Sequence, residues 1–99
     1  MNTIKFNNLT LQVESYNKNT YFDGATVNST ASCSVVTSDL TALNELAEGT
    51  ITTIQIYHDD TLIYDLQDIN CRITNISEYL SEARMNITIN LVFDYSTNS

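Results

Sequence analysis

The chain is defined first by what it lacks: it has no proline, no tryptophan, two glycines and one histidine. With Gly24 and Gly49 as the only glycines, most turns must be formed by Asn and Asp, which also tolerate a positive φ angle. His58 is the only imidazole that could act in catalysis. A Ser-His-Asp or Cys-His site would have to recruit this one residue, and no Cys or His spacing is that of a metal site.

Basic residues are also scarce, with four Lys and Arg against twelve Asp and Glu, a formal charge of -8 and a pI near 4.1. A nucleic-acid-binding protein normally needs a basic patch that releases counterions, so direct phosphate binding is not expected. An anionic membrane surface is disfavoured for the same reason. The charge is compatible with solubility, with repulsion of DNA, or with imitation of DNA toward a basic partner.

No stretch is apolar over the length that spans a bilayer, and Met1 to Phe6 lack the basic and apolar regions of a signal peptide. A protein made and kept inside a cell is therefore expected. Cys33 and Cys71 sit among alternating residues, which predicts two buried free thiols rather than a disulfide. Ninety-nine residues predict a single domain, residues 1–99, with one core.

Hydroxyl and amide side chains are abundant, since Asn, Ser and Thr fill 35 of the 99 positions. From Met85 to Tyr95 the odd positions are apolar, whereas the even ones are mostly Asn, Thr and Asp. This alternation predicts a strand of an antiparallel sheet with one face on a core. The polar face is left for water or for a partner.

Further strands follow from the same reasoning. Asn7-Asn8 predicts a two-residue type I′ turn that pairs Phe6 with Leu9 and Ile4 with Leu11. The segment from Val13 to Phe22 is expected to be extended, with a polar loop at residues 17–19, and Asp23-Gly24 marks the next turn. Residues 27–37 are predicted to form a strand whose inner face carries small residues. Residues 69–73 are predicted to form a further strand. Residues 77–84 are expected to connect the latter to the final strand.

One short helix is predicted over about residues 39–48, with Ser38 or Asp39 as N-cap and Gly49 as the C-terminal stop. We expect it to pack on the small inner face of the 27–37 strand.

The central hairpin allows two registers. A two-residue loop at Asp59-Asp60 would set Asp65 opposite Ile54, in an apolar row. A three-residue loop, His58 to Asp60, pairs Ile54 with Tyr64 instead, and this second register is preferred, with a positive φ at Asp60. The fold class expected is α+β, mostly antiparallel β: two packed sheets, or one curved sheet, of about six to seven strands with the one helix.

The candidate contact residues lie on this central hairpin. Tyr57 and Ile63 are predicted on its outward face, where a partner protein could bind. Four aspartates form a candidate acidic surface: Asp59, Asp60, Asp65 and Asp68. A solvated turn is the favoured interpretation of His58-Asp59-Asp60, and no catalytic, metal or cofactor-binding residue is assigned.

The segments TITTIQIYHDDTLIYDL and RMNITINLVFD, placed after SDLTALNELAEG, resemble small virion proteins of tailed bacteriophages, of the tail-tube or head-tail connector type. The resemblance implies a β-sandwich flanked by a helix, which assembles through strand edges and loops into rings with an acidic bore. It carries over no functional residue. A non-catalytic structural protein is therefore expected, without cofactor, in the virion or the host cytoplasm, with protein partners or further copies of itself.

An acidic inhibitor is the alternative, a DNA mimic of the anti-CRISPR kind that blocks the nucleic-acid groove of a host defence enzyme.

Overall fold

The computed structural model describes residues 1–37 and 39–93, with the backbone alone at Thr26 and Ser81. These residues form seven strands and one helix. In chain order they are β1 (Asn2–Phe6), β2 (Leu9–Asp23), β3 (Thr26–Val36), α1 (Leu40–Ala47), β4 (Ile54–His58), β5 (Thr61–Leu66), β6 (Cys71–Ser81) and β7 (Arg84–Phe93).

All seven strands belong to one sheet, in the order β5-β4-β1-β2-β3-β7-β6, and every neighbouring pair is antiparallel. The prediction of a mostly antiparallel β fold with a single short helix is thus confirmed. The buried core lies on one face of this sheet, called the inner face below. Its apolar members are Ile4, Phe6, Leu11, Val13, Ala31, Cys33, Val35, Leu43, Ile51, Ile54, Ile56, Cys71, Ile87, Ile89, Leu91 and Phe93.

The first hairpin has the predicted pairing, with Phe6 opposite Leu9 and Ile4 opposite Leu11. Only Asn7 of the two turn residues has a positive φ, 54°, so the turn is not the predicted type I′, which requires a positive φ at both positions. The side chain of Asn7 explains its place: its Oδ1 accepts from the backbone N–H of Thr52 at 2.9 Å, and its Nδ2 donates to the carbonyl of Thr50 at 3.1 Å. Asn7 therefore ties this turn to the segment before β4.

The loop predicted at residues 17–19 was wrong, because β2 runs unbroken for 15 residues. A β-bulge at Glu14, between the pairs Val13–Val35 and Ser15–Ser34, changes which side chains face inward. After the bulge the even positions lie inside, so Lys18 reaches over the ring of Phe93 at 5.0 Å. A one-residue shift of this kind looks like the end of a strand in the sequence.

The inner face of β3 carries small residues as predicted, with Ser29, Ala31 and Cys33 all buried. Among the strands, β6 has the main backbone contact with the helix, and Leu43 of the helix belongs to the same buried core as Ala31 and Cys33. The helix begins after Asp39, whose carboxylate accepts from the N–H of Ala42 at 3.0 Å. The other N-cap candidate, Ser38, lies outside the described residues.

The preferred register of the central hairpin was also wrong. His58 pairs with Thr61, so the turn contains two residues, and the positive φ falls on Asp59, at 55°, rather than on Asp60. A β-bulge at Ile63 then shifts the strand by one residue and restores an apolar row, with Ile56 opposite Tyr64 and Ile54 opposite Leu66. The rejected two-residue turn is therefore compatible with the apolar row, because a bulge lies between them.

β6 continues through most of the predicted connection, up to Ser81. The turn to β7 is just Glu82-Ala83, both with positive φ, 54° and 60°, as a type I′ turn requires. The last strand has the predicted facing as far as Phe93. Its predicted continuation to Asp94 and Tyr95 lies outside the described residues.

Residues near opposite ends of the strand order also meet. Ile51, just before β4, exchanges backbone hydrogen bonds of 2.8 and 3.0 Å with Cys71 at the start of β6. Cys71 and Cys33 are both buried and free, which confirms the prediction made for the two thiols.

Candidate contact surfaces

The four aspartates of the predicted acidic surface lie in different settings. Asp59, in the turn, accepts a hydrogen bond of 2.9 Å from the N-terminal ammonium group. That bond, with the charges of the ammonium group and of His58, holds the pKa of the Asp59 carboxyl below its ordinary value. Asp60 is exposed in the same turn, and Asp68 lies in the link between β5 and β6, with a φ of 55°.

Asp65 belongs to a small polar network on the outer face of the hairpin. Its Oδ1 accepts from Gln67 at 2.6 Å and from Gln55 at 3.3 Å, and the hydroxyl of Tyr57 donates to Gln55 at 3.4 Å. Gln55, Tyr57 and Asp65 therefore share one face of the hairpin. The side-chain amides of Gln55 and Gln67 already donate to the Asp65 carboxylate. Asp65 is therefore not a free member of a row of like charges.

Ile63 lies apart from this network. Its side chain is 58% exposed and lines a groove of about 350 Å³ together with Val13, Ile56 and Tyr64, which belong to the inner side of the sheet. Tyr57 does not line this groove. Ile63 thus lies beside inner-side residues and Tyr57 in the polar network, because the bulge at Ile63 breaks the simple alternation that the prediction assumed.

The single histidine occupies an exposed turn, where His58 Nδ1 lies 2.7 Å from Asn2 Oδ1. Within residues 1–37 and 39–93, no group of three or more His, Cys, Asp or Glu could hold a metal ion. The same part of the chain contains no helix long and apolar enough to cross a membrane.

The interior holds the most strongly perturbed groups. Burial raises the pKa of Cys33 to about 12, with a further contribution from Cys71, and burial raises the pKa of Cys71 to about 12, which Lys18 partly opposes. Burial, followed by the neighbouring Tyr64, raises the pKa of Tyr16. Such shifts keep both thiols protonated, so neither is an activated nucleophile.

Sequence reasoning missed two apolar surfaces at the tips of the long hairpins. At the tip of the β2–β3 hairpin, Phe22 is paired with Val27 across the strands, and the ring of Phe22 is 78% exposed. Val27 is 38% exposed. The two side chains thus form an exposed apolar pair, whereas single exposed apolar residues need no explanation.

The tip of the β6–β7 hairpin repeats this arrangement. Leu80 is paired with Met85, and the two are 72% and 51% exposed. Each tip also carries an exposed tyrosine opposite an asparagine, Tyr21 opposite Asn28 and Tyr79 opposite Asn86.

These two tips lie at opposite ends of the sheet. β3 and β7 pair from Ser29–Phe93 to Val35–Ile87, and each hairpin extends beyond a different end of that overlap. The molecule is accordingly long, 46 × 28 × 22 Å along its principal axes. The signal available in the sequence was strand length: a strand of 15 residues, such as β2, exceeds what a small core can cover.

No family model, curated protein or solved structure matches this chain.

Proposed function

We propose that this protein is a non-catalytic assembly component that binds other protein chains, of the kind found in the virion of a tailed bacteriophage. The observation that carries the proposal is the pair of exposed apolar tips, Phe22 with Val27 and Leu80 with Met85, at opposite ends of one sheet. Aromatic and Met side chains are favoured in protein interfaces and gain most when they become desolvated there.

The position of the tips favours this interpretation over chance exposure. Their side chains continue the same inner face that is buried in the middle of the sheet, where the cross-strand pair of Ile89 and Cys33 is covered. Apolar surface left open at each end suits contacts with two neighbours, and repetition of such a contact builds a ring or a filament.

We also infer that the single sheet is curved rather than split into two packed sheets. Two contacts support this. Ile51 bonds to Cys71 near opposite ends of the strand order, and the rings of Tyr16 on β2 and Tyr64 on β5 lie 5.4 Å apart. In a flat sheet β2 and β5 would be three strand spacings apart, about 14 Å.

Sedimentation velocity of tip variants tests the proposed function. The double variant Phe22→Ser, Val27→Thr should remain folded, because both positions lie outside the core, yet lose association with itself or with a partner chain. Asn19→Ser, Asn28→Ser changes exposed polar residues of the same hairpin and is the matched control, which should associate like the wild type. Association that survives in the tip variant would contradict the assignment of this tip as a contact site.

Two further variants compare this proposal with the earlier predictions. Tyr57→Ala with Ile63→Ser tests the contact residues predicted from the sequence, and a loss of association there alone would move the contact to the central hairpin. Charge reversal at Asp65 and Asp68 should change association little. A complex with a basic protein that these reversals abolish, and that ~0.5 M salt dissociates, would favour the DNA-mimicking inhibitor instead.

A further inference from the structure

The two edge strands of the sheet differ in how they are protected against pairing with another chain. β5 is short, has a bulge at Ile63 and carries Asp65, and each of these features disfavours the addition of a strand. β6 has 11 residues and a single bulge, at Thr74. From Asn75 to Ser81 it pairs regularly with β7, without interruption.

The outer edge of this regular stretch has no strand partner among the described residues. Backbone pairing on this edge is found at the start of β6, where Cys71 bonds to Ile51, and the helix also contacts β6. The stretch contains neither proline nor lysine, the residues that most often block an edge, and Glu78 is its one charged side chain. Tyr79 and Leu80 are both exposed on it.

We propose that the β6 edge of one molecule pairs antiparallel with the β6 edge of a second copy of this chain, about a two-fold axis. This inference rests on the proposed assembly function and names the partner for one of its surfaces. An antiparallel pair of identical strands satisfies the unpaired backbone groups of both copies at once, and two-fold dimers are the commonest protein oligomers.

The charges at the ends of β6 fit a second copy. Arg72 lies near the start of the strand and Glu82 lies in the turn after it, and both are exposed. Within the described part of the chain neither makes a direct ion pair, and the charge of Glu82 acts on the nearby Arg84, which is bound to Glu14. Antiparallel pairing brings Arg72 of each copy beside Glu82 of the other, which forms two ion pairs related by the axis.

These charges also select the register. Overlap of the whole regular stretch would centre the axis on Glu78 and place two carboxylates opposite each other. A shift of one residue centres the axis on Ser77 and pairs Glu78 with Ile76 of the other copy. Because of the bulge at Thr74, Arg72 then lies opposite Ser81, next to Glu82. We therefore place Ser77 on the two-fold axis, opposite itself.

Cysteine crosslinking tests this position directly. Ser77→Cys, oxidised under mild conditions, should give a disulfide-linked dimer, whereas Thr61→Cys on the β5 edge, the matched control, should remain monomeric on a non-reducing gel. The native Cys33 and Cys71 are buried and should not interfere. An equal yield of dimer from both variants, or none from Ser77→Cys, would overturn the proposal.

Charge exchange provides the second test and separates this inference from the proposed function. Arg72→Glu and Glu82→Arg should each weaken self-association about ten-fold or more, and the double exchange should restore it to within about three-fold of the wild type. If all three variants associate like the wild type, the β6 pairing is wrong. Continued association that depends on Phe22 and Val27 would then leave the assembly function standing, and a loss of association in both sets of variants would support both proposals.

Discussion

The middle and the ends of the inner face follow the same alternation of apolar and polar residues, but the apolar side chains are buried in the middle and exposed at the ends. On β7, Ile89 is fully buried, whereas Met85, four residues earlier on the same face, is half exposed. On β2 and β3 the contrast is the same between the buried Val13 and Val35 and the exposed Phe22 and Val27. Alternation therefore fixes the face of a side chain, and burial depends on what lies above that face.

Connecting segments cover the middle. Leu43 of the helix and Ile51 after it are both fully buried in the core, and Tyr16 and Tyr64 pack against it from the two sides of the groove. Among the described residues, Phe22, Val27, Leu80 and Met85 at the two tips are exposed. The comparison teaches that the strands extend beyond the part of the inner face that is covered.

The largest expected effect comes from placing an aspartate in each of the two regions, the covered middle and an exposed end. Ile89→Asp should lower the free energy of unfolding by about 4 kcal/mol or more, because a buried unpaired carboxylate cannot be solvated. Met85→Asp should change it by less than about 1 kcal/mol, because Met85 already faces water. Urea denaturation at low protein concentration measures both, and equal shifts would show that the tip belongs to the core.

The pH dependence of stability tests the covered middle of the sheet. Because folding raises the pKa of Cys33 and Cys71 to about 12 from an ordinary 9, the folded state disfavours both thiolates. Stability should therefore be unaffected below pH 9 and fall above it, by about 1.4 kcal/mol per pH unit for each thiol. Urea midpoints at pH 8 and pH 10 measure the loss. Cys71→Ala should remove about half of it, and an unchanged pH slope in that variant would contradict the burial of this thiol.

A smaller effect concerns the tie between the first turn and the segment before β4. Asn7→Ala should destabilise the protein by about 2 kcal/mol, because the N–H of Thr52 and the carbonyl of Thr50 lose their side-chain partner and the positive φ becomes unfavourable. Asn8→Ala, in the same turn without a positive φ, is the control and should be nearly neutral. Thermal unfolding of the two variants measures the difference. Similar melting temperatures would contradict a stabilising role for the hydrogen bonds of Asn7.

The smallest expected effect is a gain of stability at the tip of the β6–β7 hairpin. Glu82→Asn with Ala83→Gly places the preferred residues in the type I′ turn and should stabilise the monomer by about 1 kcal/mol, since both positions have positive φ. The same exchange at Asp59-Asp60, where only Asp59 has a positive φ, should give less. A larger gain at Asp59-Asp60 would contradict the assignment of the two turn types.

Much of the fold could be predicted because it depends on local patterns. The pairing of Phe6 with Leu9, the helix and the facing of β7 each follow from alternation, capping or a turn. The bulges at Glu14 and Ile63 could not be predicted, because a bulge inserts one extra residue and leaves no sign in the alternation of apolar and polar residues. The wrong loop at residues 17–19 and the wrong register of the central hairpin both follow from these bulges. For the candidate site, the outward position of Tyr57 follows from alternation, but the exposure of Phe22 and Leu80 depends on long-range packing that no local pattern contains.

Hydrogen–deuterium exchange of the wild-type protein, at concentrations below and above association, tests the central claim most directly. Assembly through the uncovered ends and the β6 edge predicts that amides at residues 20–29 and 75–81 exchange more slowly in the associated state. Amides of β5, residues 61–66, should exchange at the same rate in both states. Protection that appears on β5 while both tips and β6 remain unchanged would contradict the account.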